Sequence, residues 1–248
     1  MKLLVFGNSD TRGAAVSGPT WTELVRRGLE LRGELEFVDR NFVPLGERAP
    51  EFAERMVVEI EPDVVLLPLS EYVFWAVSVE LQVKHRLGAR AAAAFKSAER
   101  RLDRAARGKP GVRGATHRAM QGFARRAVGT RAPASAKAVA ETYSEVLRRL
   151  ARIESLEVVV VSYPFSPLPS LQTASMRKAR ASFIAQVRQT AEHHHLHWVS
   201  GDDLVATAGL SVAEAYAADG VHIGEASHPL FAVAVLEALG VRPTVNPP

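Results

Sequence analysis

Short apolar runs alternate along this chain with longer segments whose apolar positions recur every three or four residues. Residues 2–6 (KLLVF) predict a buried first strand, and residues 34–38 (ELEFV) alternate as a second. Residues 62–69 (PDVVLLPL) are apolar on both faces, as an interior parallel strand requires. Residues 156–161 (LEVVVV) and 196–199 (LHWV) predict a fourth and a short fifth strand. Helical spacing covers residues 19–32, where Trp21, Leu24, Val25, Leu29 and Leu31 share a stripe that Gly33 ends. Helices are also predicted over 50–60, 74–107, 114–127, 135–153, 171–195 and 224–239, the last stopped by Gly240. Gly108-Lys109-Pro110-Gly111 breaks the third from the fourth.

Strand and helix thus alternate five times, which predicts a three-layer α/β/α sandwich around a five-stranded parallel sheet, flavodoxin-like in its layering. Ligands of such folds bind outside the carboxyl ends of the strands. Residues 7–13, 70–75, 162–170 and 200–222 fall on that edge. Residues 1–248 read as one domain, with the stretch 84–135 as a helical insertion, a cap or lid, because it exceeds what one crossover needs.

Charge sharpens this picture at the insertion. Residues 84–131 carry fourteen Lys and Arg against Glu99 and Asp103, although the whole chain is only +4. That surface is either a solvated helical face or a lure for an anionic small-molecule substrate. It lacks the aromatic interleaving and the motifs of nucleic-acid binders, so no nucleic-acid partner is expected. The chain has no cysteine, which removes disulfides, thiol nucleophiles and thiolate metal sites. No apolar run reaches the roughly 20 residues of a membrane span, and Leu3-Leu4-Val5-Phe6 is too short for a signal peptide. The expected location is cytoplasmic. Composition leaves the oligomeric state open.

Two polar clusters fall on the functional edge. Gly7-Asn8-Ser9-Asp10-Thr11-Arg12-Gly13 follows the first strand, and its small polar residues suit either a helix N-cap or a serine nucleophile. Asp219-Gly220-Val221-His222 precedes the last helix, at a spacing that lets a carboxylate fold back onto one imidazole nitrogen. Glu225 and His228 join His222 in a possible metal set, and His193, His194, His195 and His197 end a helix, where the dipole suits them.

The first block resembles the opening Gly-Asp-Ser-x-Thr-x-Gly of the SGNH (GDSL) hydrolases, with Asn8 in place of the aspartate. The second, with Glu225-Ala226-Ser227-His228, is similar to that family's closing Asp-Gly-x-His block and helix. The resemblance implies a Ser9 nucleophile, a His222 base and an Asp219 that orients the base. It implies an oxyanion hole from the amide of Ser9, the amide of Gly46 and a third donor. Where the family has Gly-x-Asn-Asp, this chain has Ser70-Glu71-Tyr72-Val73, so Tyr72 takes the place of the asparagine and Ser70 that of the glycine. The closing helix accounts for Glu225 and His228, and neither a metal nor a cofactor is expected. The implied activity is hydrolysis of an ester or related acyl bond through an acyl-enzyme. The same triad could serve an acyltransferase, and a non-catalytic module binding an anionic ligand is the reading from outside enzymology.

Overall fold

The first apolar run forms β1 (Lys2–Gly7), whose residues from Leu3 to Gly7 are all buried. The computed structural model describes residues 1–75, 78–105 and 132–241. After β1 come α1 (Trp21–Glu30), β2 (Glu36–Asn41), α2 (Ala49–Ile60) and β3 (Val64–Pro68). Then come α3 (Tyr72–Trp75), α4 (Val79–Ala105), α5 (Ala136–Leu150), β4 (Glu157–Ser162) and α6 (Ala174–His193). The final described elements are β5 (His197–Ser200), α7 (Gly201–Thr207) and α8 (Ser227–Ala238). Two compact units divide the chain: Met1–Glu71 with Ala136–Pro248, and Tyr72–Ser135.

The first unit holds the five-stranded sheet, in the order β2-β1-β3-β4-β5, with every pairing parallel. Its layering is the α/β/α sandwich expected from the alternation. Strand residues of one parity, such as Leu3, Val5, Leu66 and Val161, pack against Trp21, Val25 and Leu29 of α1 and Phe231 and Val235 of α8. Residues of the other parity, such as Leu4, Val65, Leu67 and Val160, are equally buried. They point to the opposite face because strand side chains alternate. There α5 packs against both α2 and α6. Chain order reverses at β1, since β2 lies on one side of it and β3 on the other. The carboxyl ends of β1 and β3 therefore frame the crevice where such sheets bind ligands.

Some boundaries differ from the sequence expectation. The second strand runs 36–41 rather than 34–38: it is an edge strand with no fully buried residue, so apolar alternation does not mark its ends. The last helix begins at Ser227 rather than 224, because Gly224 opens a turn closed by Ser227 N–H on its carbonyl at 3.0 Å. Helix α7 was not expected at all.

In the second unit, the single helix expected over 74–107 is α3 and α4, and α4 itself is interrupted at Gly88, where φ is 87° and ψ is 171°. Val83 and Ala92 form a small buried cluster with Phe95 against it. The break at 108–111, the helix over 114–127 and much of the stretch read as a cap lie outside the described residues. Among the described residues no helix is long and apolar enough to cross a membrane.

Candidate active site

The loop after β1 is a tight elbow made by its own side chains. Asn8 is buried, and its Oδ1 accepts the Asp10 and Thr11 amides at 3.0 and 3.2 Å. Thr11 Oγ1 accepts the Asn8 amide at 2.9 Å and donates to the Asn8 carbonyl at 2.8 Å. The acceptor the elbow needs at position 8 is a carbonyl-type oxygen, so asparagine serves there as an aspartate would. Gly7 is dictated by packing: a Cβ there would lie 2.2 Å from Asp39 Oδ1 and 2.9 Å from Thr11 Oγ1. Arg12 holds that Asp39 carboxylate through Nε at 2.8 Å and a terminal nitrogen at 3.2 Å. The elbow leaves Ser9 exposed at its tip. Among the described residues, neither the Ser9 hydroxyl nor its amide makes a hydrogen bond.

The closing loop is pinned at both ends. The Ala217 amide donates to the His222 carbonyl at 2.8 Å and the Gly224 amide to the Ala215 carbonyl at 2.9 Å. Gly220, at φ 64°, turns the chain between them, and Ser166 Oγ donates to its carbonyl at 2.6 Å. Within this turn, Asp219 Oδ1 accepts the Val221 and His222 amides at 2.8 and 3.0 Å, and Oδ2 lies 2.6 Å from His222 Nδ1. Partial burial opposes ionisation of Asp219, but the His222 amide and ring and the Val221 amide outweigh it and hold the carboxyl below its ordinary range. An ionised carboxylate only accepts, so Nδ1 carries a proton; in the neutral ring the lone pair is then on Nε2, the tautomer a general base requires.

One hydrogen bond ties the two loops together. The amide of Ile223, the residue after His222, donates to Asp10 Oδ1 at 3.0 Å. The nucleophile and base candidates therefore stand on loops fixed to each other, although Ser9 and His222 share no hydrogen bond.

The other expected site residues are distributed as follows. Gly46 lies in the loop after β2, at φ 84°, and among the described residues its amide makes no hydrogen bond. Ser70 is buried after β3, where its amide donates to Tyr143 Oη at 2.7 Å. Tyr72 opens α3 in the second unit, where burial pushes its phenol upward. Glu225 and His228 are engaged elsewhere. Glu225 Oε1 accepts the Ser17 amide at 3.0 Å, and His228 Nδ1 accepts the Trp21 amide, at the start of α1, also at 3.0 Å. Burial lowers His228 to about 4, against the pull of Glu225, so the ring is neutral. Among the described residues no group of three His, Cys, Asp or Glu side chains is placed to hold a metal ion.

No protein-family model and no curated protein matches the chain. Solved structures do. Axe2, an acetylxylan esterase from Geobacillus stearothermophilus, is similar at 16% identity and a TM-score of 0.56, over 96% of this chain and 94% of Axe2. LAE5, an alpha/beta hydrolase enzyme from the metagenome of Lake Arreo, Spain, has the same identity and TM-score over 97% and 95% of the two chains. The lipase Lip_vut3 from a goat rumen metagenome is similar at 13% identity and a TM-score of 0.51, over 98% of each chain. The fold is that of the SGNH-type hydrolases.

On this SGNH fold, the edge beyond β3 is built in a way that sequence reading missed. Arg180, in α6, is buried. Its Nε donates to Glu71 Oε2 at 2.7 Å and its terminal nitrogens to Asp202 Oδ2 at 2.7 Å and the Tyr163 carbonyl at 2.6 Å. The guanidinium also lies 5.2 Å from the Phe165 ring centre. Burial raises the Glu71 carboxyl against the pull of Arg180. The sequence signal was Glu71 itself, a charge close behind an apolar strand.

Proposed function

We propose that this chain is a serine hydrolase that cleaves an ester or related acyl bond of a small molecule. The observation that carries the reading is the Asp219–His222 pair, with Nε2 free, on a loop bonded to the one that presents Ser9. Support comes also from Axe2, which shares the fold and is known as serine-to-alanine and histidine-to-alanine catalytic mutants.

In this mechanism Ser9 Oγ attacks the acyl carbonyl as its proton passes to His222 Nε2, and Asp219 stabilises the imidazolium. The oxyanion takes hydrogen bonds from the free amides of Ser9 and Gly46, each such donor being worth about 10²–10³ in rate. The third donor in this reading is the Ser70 hydroxyl, after β3. Collapse breaks the bond to the alcohol, which leaves with the proton held by His222. Water then attacks the acyl-enzyme, returns a proton to the ring, and frees the acid and Ser9. The chemistry uses no metal or cofactor. The basic stretch 84–131 favours an acyl substrate that carries negative charge.

A fluorophosphonate probe tests the assignment. Wild-type protein is labelled and turns over p-nitrophenyl acetate, while Ser9→Ala does neither at unchanged folding. Equal labelling of both proteins, or a folded wild type that resists the probe, overturns it. The substrate charge is read separately: kcat/KM for an anionic ester falls with salt, while that for a neutral ester does not.

A further inference from the structure

The elbow carries a carboxylate that the acyl chemistry above does not use. Asp10 follows the proposed nucleophile directly and is half-buried, and its Oδ1 accepts the amide that follows His222. Asp219 does not provide this tie, because it stands on the closing loop itself and its hydrogen bonds among the described residues all lie within its own turn. Four titratable groups face Asp10: His222 and Asp219 from the closing loop, Tyr163 beyond β4, and Tyr216 ahead of the closing turn. Burial keeps both phenols well above their ordinary range, so they remain neutral. Charge on Asp10 therefore acts chiefly on the imidazole and on Asp219.

We propose that Asp10 is a positioning residue of the hydrolytic site: it clasps the serine loop to the histidine loop and sets a second negative charge beside the His222 ring. This deepens the hydrolase reading and rests on it. The ring becomes positive as it takes the serine proton, so a neighbouring anion lowers the energy of that state. Burial pushes the Asp10 carboxyl up to about 6; the Ile223 amide and His222 work against that and Asp219 adds to it. The charge is therefore present above about pH 6 and is lost as the pH falls through that value. Asp10 and His222 then titrate as a linked pair.

Asp10→Asn separates the two roles, because an amide oxygen still accepts from Ile223 while the charge is gone. The plateau rate of fluorophosphonate labelling at Ser9 falls about 10-fold. The acidic limb of its pH profile moves down by about one unit, since the ring is less readily protonated without the anion. Asp10→Ala loses the clasp as well, and the rate falls about 100-fold. A profile of Asp10→Asn that superimposes on wild type, in height and in midpoint, overturns the proposal. Histidine ring NMR gives a readout that needs no turnover: the His222 ring takes up its proton at lower pH in Asp10→Asn than in wild type. Coincident ring titrations overturn the proposal whatever the labelling shows. A shifted ring in a folded protein that the probe never labels leaves the electrostatic clasp standing and removes the hydrolase reading.

Discussion

The carboxyl edge of the sheet is built in two contrasting ways. Beyond β1, and in the loop before α8, polar groups are held by short local hydrogen bonds that leave valences free. Ser9 is exposed with an unpaired amide, and the turn that holds Asp219 leaves the far nitrogen of His222 open. Beyond β3, β4 and β5 the polar groups consume one another: Arg180 is buried and bonded to Glu71, Asp202 and the Tyr163 carbonyl. The first arrangement has capacity to act on another molecule. The second joins three strand ends and an α6 residue that no local pattern would connect. The place where this chain departs most from the SGNH block, Ser70-Glu71-Tyr72-Val73, adjoins the second arrangement. Of that stretch, Glu71 is the residue that the second arrangement uses.

The largest test of this contrast is at Asp219, the proposed orienting carboxylate. Asp219→Asn lowers kcat by about 10³–10⁴, because an amide no longer selects the productive ring tautomer, and leaves urea stability nearly unchanged. A kcat within tenfold of wild type breaks the assignment. Arg180→Ala should do the reverse. It leaves the buried Glu71 carboxyl and the Tyr163 carbonyl without their donor, drives Glu71 further toward its protonated form, and costs about 3–5 kcal/mol in denaturant titrations. Adding Glu71→Gln recovers part of that loss, and no recovery in the double variant means the pair is not coupled.

The third test is acid stability. His228 is held neutral, with a folded value of about 4 against an unfolded 6.5. Its contribution is complete above pH 6.5 and is lost as the pH falls toward 4, about 3 kcal/mol in all. Asp10 and Glu71, both raised by burial, contribute with the opposite sign. The measurement is therefore the difference between wild type and His228→Gln, whose amide oxygen can still cap Trp21. Parallel curves for the two would show that the ring does not titrate with folding. The smallest effect is expected for Asn8→Asp, which restores the SGNH residue and keeps the acceptor. Stability changes by less than about 1 kcal/mol and activity by less than threefold. A larger loss would show that the buried elbow cannot carry charge.

Most of the sheet was legible in the sequence because its inner strands are buried on both faces, and Val64–Pro68 or Val158–Val161 admit hardly any other reading. The seven residues of α7, which begin Gly201-Asp202-Asp203, were not, since a helix so short and so polar at its start has no stripe to detect. The candidates Ser9, Asp219 and His222 came from short local segments and from their resemblance to the SGNH blocks. Asp10 was not, because its partner amide lies 213 positions away and a backbone acceptor leaves no mark on residue type. Arg180 was hidden for a related reason. One basic residue in a helix of mixed composition looks solvated until its buried partner Glu71 is known.

The distance along the chain between Asp10 and Ile223 also bears on when the proposed site can assemble during synthesis. At ribosomal speeds of about 5–20 residues per second, roughly 10–40 s separate the emergence of the elbow from that of its counterpart. Throughout that interval a nascent chain has the proposed nucleophile without its proposed base, and an α1 capped by Thr20 but lacking His228, the acceptor of its Trp21 amide. The proposed base and the last structural cap thus arrive within six residues of each other, so a product truncated before His222 lacks both.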